Sequence, residues 1–404
     1  MARNLRVTLA CCVLGAAALM GGLAYLRADR PPRLWRPDPN PPGNARGHVQ
    51  SRPVSLLYDA PALLDAADTV VLGEVVGDKT VGRGLIAIGQ LPDGRYGLLP
   101  AGSGPATSSG EQIETGVTVH QAAFQAVDVV KGDYCRPGAL LQVEWFEADT
   151  ISLTSLEPGA YGFLLLDQHG RLSDLEHSLL PVAKGVVPPP GTTGKEAVGQ
   201  CMLASLKPQA SGPAFFLEGC AQAVWQLQPK GATARLRDLA TWQDVGLRAN
   251  ALVALVHLGD ADALRSTVDL LLRKDWRSQF PGLAIANARG AISSLSDPAS
   301  VPEIARLLSS PEASLRGQAL QAMRKIGSPV AATYFAAALS DEAVANRHQA
   351  VLGLAELLWR QEQRRDLPAP GAQLFDPDPD RYTQPWRDWW EREGKAKYGQ
   401  GGGK

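Results

Sequence analysis

The stretch 314-SLRGQALQAMRKIGSP-329 decides the architecture of the C-terminal half of this chain. Ala319, Ala322, Met323 and Ile326 fall at relative positions 0, 3, 4 and 7, which is one face of an α-helix. Gly327 and Pro329 then stop it, because glycine takes the left-handed cap and proline cannot continue the ladder. The same pattern recurs as Ala251, Ala254, Leu255 and Leu258, as Ala288, Ala291, Ile292 and Leu295, and as Ala350, Gly353, Leu354 and Leu357. Successive starts lie 37, 31 and 31 residues apart, and 31 residues before Ala251 stands Cys220, followed by Ala223, Val224 and Leu227. Five units follow from this periodicity, each a helix, a Gly/Asp/Pro turn and a second helix such as ALRSTVDLLL or EIARLLS. The small slots let helices approach closely, and the Leu/Ile slots fill the seam between them. Asp244, Asp341 and the pair Ser310–Pro311 supply helix starts.

Upstream the period changes from helical to alternating. After a short amphipathic helix (Ala60 to Ala67), TVVLGEVV (Thr69 to Val76) has the β-branched content of a buried strand. LIAIGQL and RYGLLP flank Pro92-Asp93-Gly94, a hairpin turn. TVHQAAFQAVDVVKG (Thr118 to Gly132), ALLQVEWF (Ala139 to Phe146) and the strand after Pro158-Gly159 complete five or six strands without βαβ alternation. That pattern predicts a small barrel or sandwich. The chain therefore divides into a signal peptide or membrane anchor (1–28), a proline-rich linker (29–57), a β-domain (58–185), a second linker (186–194), a helical array (195–365) and a tail (366–404).

Two resemblances attach to these segments. The helical pattern with its turns resembles HEAT repeats of the short bacterial type also found in phycobilin lyases, over about Ala214 to Trp359. This implies an α–α solenoid, whose exposed curved surface commonly binds protein partners. The strand order with Lys131-Gly132 and Pro158-Gly159-x-Tyr161 resembles the barrel of the netrin and tissue-inhibitor-of-metalloproteinase group, an OB-like fold, over roughly Asp65 to Leu166. Inhibition of a protease does not carry over, because that chemistry needs an N-terminal cysteine and several disulfides, and this segment has only Cys135. The expected fold class is thus β plus all-α, an OB-like barrel or sandwich followed by a HEAT-like solenoid.

At the N-terminus, Arg3 and Arg6 precede the uncharged run from Val7 to Leu26. Twenty residues at helical rise span roughly 30 Å, the hydrocarbon thickness. The run favours an uncleaved anchor over a signal cleaved after Ala24, and with it an extracytoplasmic body tethered through residues 7–26. Arg27, Arg30, Arg33 and Arg36 argue the other way, for a cytoplasmic body. The formal net charge of -1 gives no whole-chain footprint for nucleic acid.

Little in the chain carries chemistry. GTTGKE (Gly191 to Glu196) lacks the first glycine and the final Ser/Thr of a phosphate loop. No two of the six histidines share a metal-ligand spacing, and no Cys-x-x-Cys pair exists. No catalytic, cofactor-binding or metal residue is expected. Cys201 and Cys220 are the one pair weighed for a disulfide. The interaction candidates are Arg248, Arg316 and Arg347, three residues before the small slot, and Trp386, Trp389 and Trp390 in the tail, whose other reading is a cap on the open end of the array. His257 and His348 are expected at the surface or in turns. The leading expectation is a non-enzymatic scaffolding protein of the cell envelope with protein partners. The alternatives are a ligand- or peptide-binding β-domain positioned by the solenoid, and a lyase-type enzyme.

Overall fold

The computed structural model describes residues 35–37, 59–90, 96–99, 113–148, 155–174, 177–207, 216–280 and 284–399. They form two compact units: Asp65 to Leu180 make one, and Asp59 to Leu64 join Pro181 onward in the other.

The first unit is built on β1 (Trp35–Pro37), β2 (Thr69–Gln90), β3 (Tyr96–Leu99), β4 (Ile113–Lys131), β5 (Leu140–Ala148), β6 (Tyr161–Leu166) and β7 (Leu179–Pro181). The strand path is β5–β4–β2–β6–β7, and β1 and β3 also pair with β2. The expected barrel or sandwich is observed at a coarser level, as one antiparallel sheet. Strands β2 and β4 are far longer than ordinary strands, and four register shifts break their pairing. Each shift inserts an extra residue, which bends and twists the pair. Val76 and Val81 are two such insertions, and their side chains are turned outward, 54% and 43% exposed. The twist also changes which face of the long pair is buried. Phe124 and Ala122 of β4 pack in the core with Val143 and Trp145 of β5, whereas beyond His120 it is Val119 and Val117 that are buried.

The second unit begins with α1 (Ala60–Ala66), which extends into the first. The Ala60 N–H donates to Gln226 Oε1 at 2.9 Å. It continues with α2 (Gly194–Ser205), α3 (Phe216–Leu227), α4 (Ala232–Leu239), α5 (Val245–His257), α6 (Ala261–Leu271) and α7 (Trp276–Gln279). Then come α8 (Ala284–Ser294), α9 (Val301–Ala305), α10 (Ala313–Ile326), α11 (Ala332–Ala338) and α12 (Val344–Glu362). The tail adds α13 (Ala372–Phe375), α14 (Pro379–Trp389), a π-helical turn (Trp390–Gly394) and α15 (Lys395–Tyr398).

Helices α3, α5, α8, α10 and α12 pack each on the next, while α4 and α6 flank α5, α9 packs on α10 and α11 on α12. Positions 0, 3 and 4 of the pattern are buried in all five units. Position 7 is half-buried except at Leu357, because it is the last position before each turn. The Leu247 N–H donates to Asp244 Oδ1 at 2.8 Å, a side-chain cap on α5. The Ser310–Pro311 start is displaced, since α10 begins at Ala313.

One expectation is corrected. No helix among the described residues is long and apolar enough to cross a membrane. The anchor expected at residues 7–26 lies outside the described residues. The transmembrane helix, and the membrane-anchored extracytoplasmic placement built on it, are therefore withdrawn.

Candidate interaction surface

Three successive helices, α8, α10 and α12, share a groove of about 420 Å³. Its walls include Arg289, Ser314, Gly317, Gln318, Gln321 and Asn346. The groove exists because its residues are small where helices meet and amide-bearing where they must be held. A Cβ on Gly317 would stand 2.6 Å from Asn346 Oδ1, closer than non-bonded atoms allow. The Asn346 side chain is buried, and its Nδ2 donates to Ala313 O at 3.0 Å and to Asp341 Oδ1 at 3.2 Å. One helix earlier, Gln318 Nε2 donates to Arg289 O at 2.6 Å, and Arg289 Nε returns a bond to Gln318 Oε1 at 2.5 Å. The floor is thus polar but internally satisfied, as buried amides require. On the rim, Ser314 and Gln321 are exposed and make no side-chain hydrogen bond among the described residues. Such a surface offers donors and acceptors to an extended segment.

The candidate arginines do not line this groove; each is held by a hydrogen bond elsewhere on the helices. Arg316 Nε and Nη2 donate to the two carboxylate oxygens of Asp341 at 2.7 and 2.8 Å, with both side chains largely buried. Burial alone would raise the Asp341 carboxyl. The hydrogen bonds from Arg316, Ala343 and Asn346 override it and hold the group below the usual carboxylate range. Arg248 Nη2 donates to Gln279 Oε1 at 2.7 Å, and Arg347 Nη1 to Asp341 O at 3.4 Å. Arg316 and Arg248 are joints between neighbouring units, and Arg347 bonds back to the turn that precedes its own helix.

The tryptophans divide. Trp386 and Trp389 are each 1% exposed and meet edge to face at 5.7 Å. Trp386 Nε1 donates to Pro368 O at 2.7 Å. Only Trp390 is half-buried. A contact surface made of all three is therefore corrected, because two of them are core. The weighed disulfide is absent: Cys201 and Cys220 are free, buried thiols. Cys220 Sγ faces Pro181 O at 3.9 Å, and burial pushes its thiol far above the usual range.

His348 is not a surface residue, whereas His257 is half-buried at the end of α5, beside the turn at Leu258 and Gly259. His348 is buried, its Nε2 lies 2.8 Å from Pro370 O, and its ring packs on Phe375 at 4.7 Å. His257 stacks on Trp225 at 4.1 Å, and burial pushes it down to about 4.

The sequence reading missed a polar cluster in the sheet. His120 Nδ1 and Asp78 Oδ2 lie 2.9 Å apart, and Trp145 Nε1 donates to Asp78 Oδ1 at 3.0 Å. The His120 and Trp145 rings stack at 4.2 Å, and His120 Nε2 lies 3.4 Å from Glu147 Oε2. No motif spacing announces it, since its members come from three strands. Among the described residues no group of three or more His, Cys, Asp or Glu side chains is placed to hold a metal ion.

Comparison with known proteins adds little. No family model matches the chain, and no curated protein matches it. A crystal structure of an engineered protein is similar over 51% of this chain and 93% of its own, at 19% identity and a TM-score of 0.28. A likeness at that score carries no argument about fold or function.

Proposed function

We propose that the helical unit is a HEAT-like α-solenoid acting as a non-enzymatic scaffold, which holds an extended segment of a protein partner along the α8–α10–α12 groove. The observation that carries this reading is the groove itself: it crosses three consecutive units and has Ser314 and Gln321 exposed at its rim with no side-chain partner among the described residues. The recurrence of the buried 0, 3, 4 positions in five units supports the HEAT-like assignment. For the sheet unit we propose an OB-like barrel topology, supported by the bulged and strongly twisted β2–β4 pair, since closure demands such coiling.

The test is affinity capture with the full-length protein, comparing wild type with Ser314→Trp and with Arg265→Glu, a control on α6 away from the groove. Partners retained by wild type and Arg265→Glu but lost with Ser314→Trp support the reading. Equal capture by all three proteins sinks it.

A second reading places ligand binding in the sheet unit, favoured by the His120–Asp78–Trp145 cluster. Capture abolished by Asp78→Ala, in a protein whose helical unit melts unchanged, supports it instead.

A further inference from the structure

Helix α12 carries two unmatched features. Its outer face, with Leu352, Ala355 and Leu358, forms a cleft of about 380 Å³ with Leu367 and Trp386. Trp359 stands at the rim, 40% exposed, with the Arg365 guanidinium 3.8 Å above its ring. The charges around this cleft are not equivalent. Arg364 is neutralised by Asp366 at 2.8 Å and Glu393 at 2.9 Å. Arg365 makes no ion pair among the described residues. Glu356, which also lines the cleft, is paired with Arg324, so among the charged lining residues Arg365 alone has no ion pair among the described residues, and it stands beside an exposed tryptophan. Trp and Arg are the residue types that dominate binding energy at protein interfaces.

The second feature is anchored on the same helix at His348, about one turn before Leu352 and about three turns before Trp359. Phe375 packs on His348 of α12 and pins α13 in place. With Phe375 turned inward, Leu374 is turned outward and is 65% exposed, more than any other large apolar side chain among the described residues. Asp376 follows two residues later, exposed and without an ion pair among the described residues. An apolar knob with an uncompensated anion and a cleft with an uncompensated cation thus both border α12.

We propose that the occupant of the cleft is a second copy of this chain. Leu374 of each protomer enters the cleft of the other beside Trp359, and Asp376 meets Arg365 across the interface. Knob and cleft both abut α12, the knob through the Phe375–His348 contact, and a two-fold axis that makes one exchange makes the other, which is the isologous arrangement that closes a dimer. This inference does not rest on the groove at α8–α10–α12.

Sedimentation velocity of the full-length protein over a series from low to high micromolar tests it. We expect a monomer–dimer equilibrium, weakened about tenfold or more by Leu374→Asp, by Arg365→Glu or by Asp376→Arg. All three side chains are exposed, so unchanged circular dichroism and melting show that the variants fold. Mixing Arg365→Glu with Asp376→Arg places opposite charges at both exchanged contacts, and dimerisation returns in the mixture alone. A protein that sediments as a monomer throughout overturns the proposal. So does a dimer indifferent to these substitutions, or a mixture without rescue; either of the last two leaves the cleft to a different partner.

Discussion

Arg316 holds Asp341 by a two-pronged ion pair that joins α10 to the turn leading into α12. The same guanidinium donates to Ser310 O at 3.0 Å, and the same carboxylate accepts from the Ala343 N–H at 2.8 Å and from Asn346. One buried pair thus fixes a turn, a helix start and the seam between two units. Arg316→Ala leaves the carboxylate buried without its counter-charge, and we expect a loss of about 3 kcal/mol in chemical unfolding. Arg316→Met with Asp341→Leu should recover most of it, since neither charge is then stranded. A loss under about 0.5 kcal/mol for the single variant would place the pair among surface bridges of negligible weight.

The same pair sets an acid limit. The folded Asp341 carboxyl lies below the unfolded value of about 3.9. Its contribution is therefore complete above that value and is lost as the pH falls through the folded value. In a pH series of unfolding free energies, the difference between wild type and Asp341→Asn should be constant from neutral pH to about 5 and shrink below about 4. A difference that grows in acid contradicts the arrangement.

Two glycines test the packing of the units. Gly327 ends α10 at φ +67°, and a Cβ there meets the Arg360 side chain. Gly327→Val should cost about 1–2 kcal/mol for the left-handed backbone alone. Gly317→Ala acts differently, by driving Asn346 from its place between α10 and α12. We expect it to lower the melting temperature by about 2–4 °C per kcal/mol lost. Ala319→Leu, which overfills a fully buried slot, should cost about 1–3 kcal/mol. Unchanged melting of Ala319→Leu would refute the register of the repeat.

What was legible in the sequence follows from how local each signal is. The slots at Ala319, Ala322 and Met323 are set by helical period, which is a property of neighbouring residues. Whether Arg316 is a joint or a contact depends on Asp341, 25 residues away, and no period reports that distance. His348 reads as a surface residue because its cover, Phe375 and Pro370, arrives from the tail. His120 and Asp78 were invisible as a pair, since four register shifts in β2–β4 decide which residues share a face. The weighed Cys201–Cys220 bridge failed on packing: Cys220 occupies a small slot of α3 and points at Pro181.

His257 gives a pH signature of opposite origin to Asp341. Its ring lies flat on Trp225, interplanar angle 9°, and burial lowers it to about 4. The unfolded imidazole takes its proton near about 6.5, before the folded one does. The neutral stack therefore contributes fully above that value, and its contribution falls as the pH drops from about 6.5 toward about 4. His257→Phe keeps the stack and removes the proton site. Its stability should be flatter than wild type across that window, and parallel curves would show that His257 is not buried neutral.

The tail tryptophans separate a cap from a contact surface. Trp386 is buried and bonded to Pro368 O, and Trp389 packs against it and near Tyr398, whose hydroxyl donates to Glu362 Oε1 at 2.6 Å. These links tie the last turns of the chain back to the end of α12. Trp386→Ala removes a full core side chain and leaves a cavity, and we expect a loss of about 3–5 kcal/mol. Trp390→Ala, at a half-buried position, should cost well under half of that. If the three residues formed a contact surface instead, both substitutions would leave unfolding unchanged and alter only partner capture. Equilibrium denaturation of the two variants beside wild type decides between these outcomes.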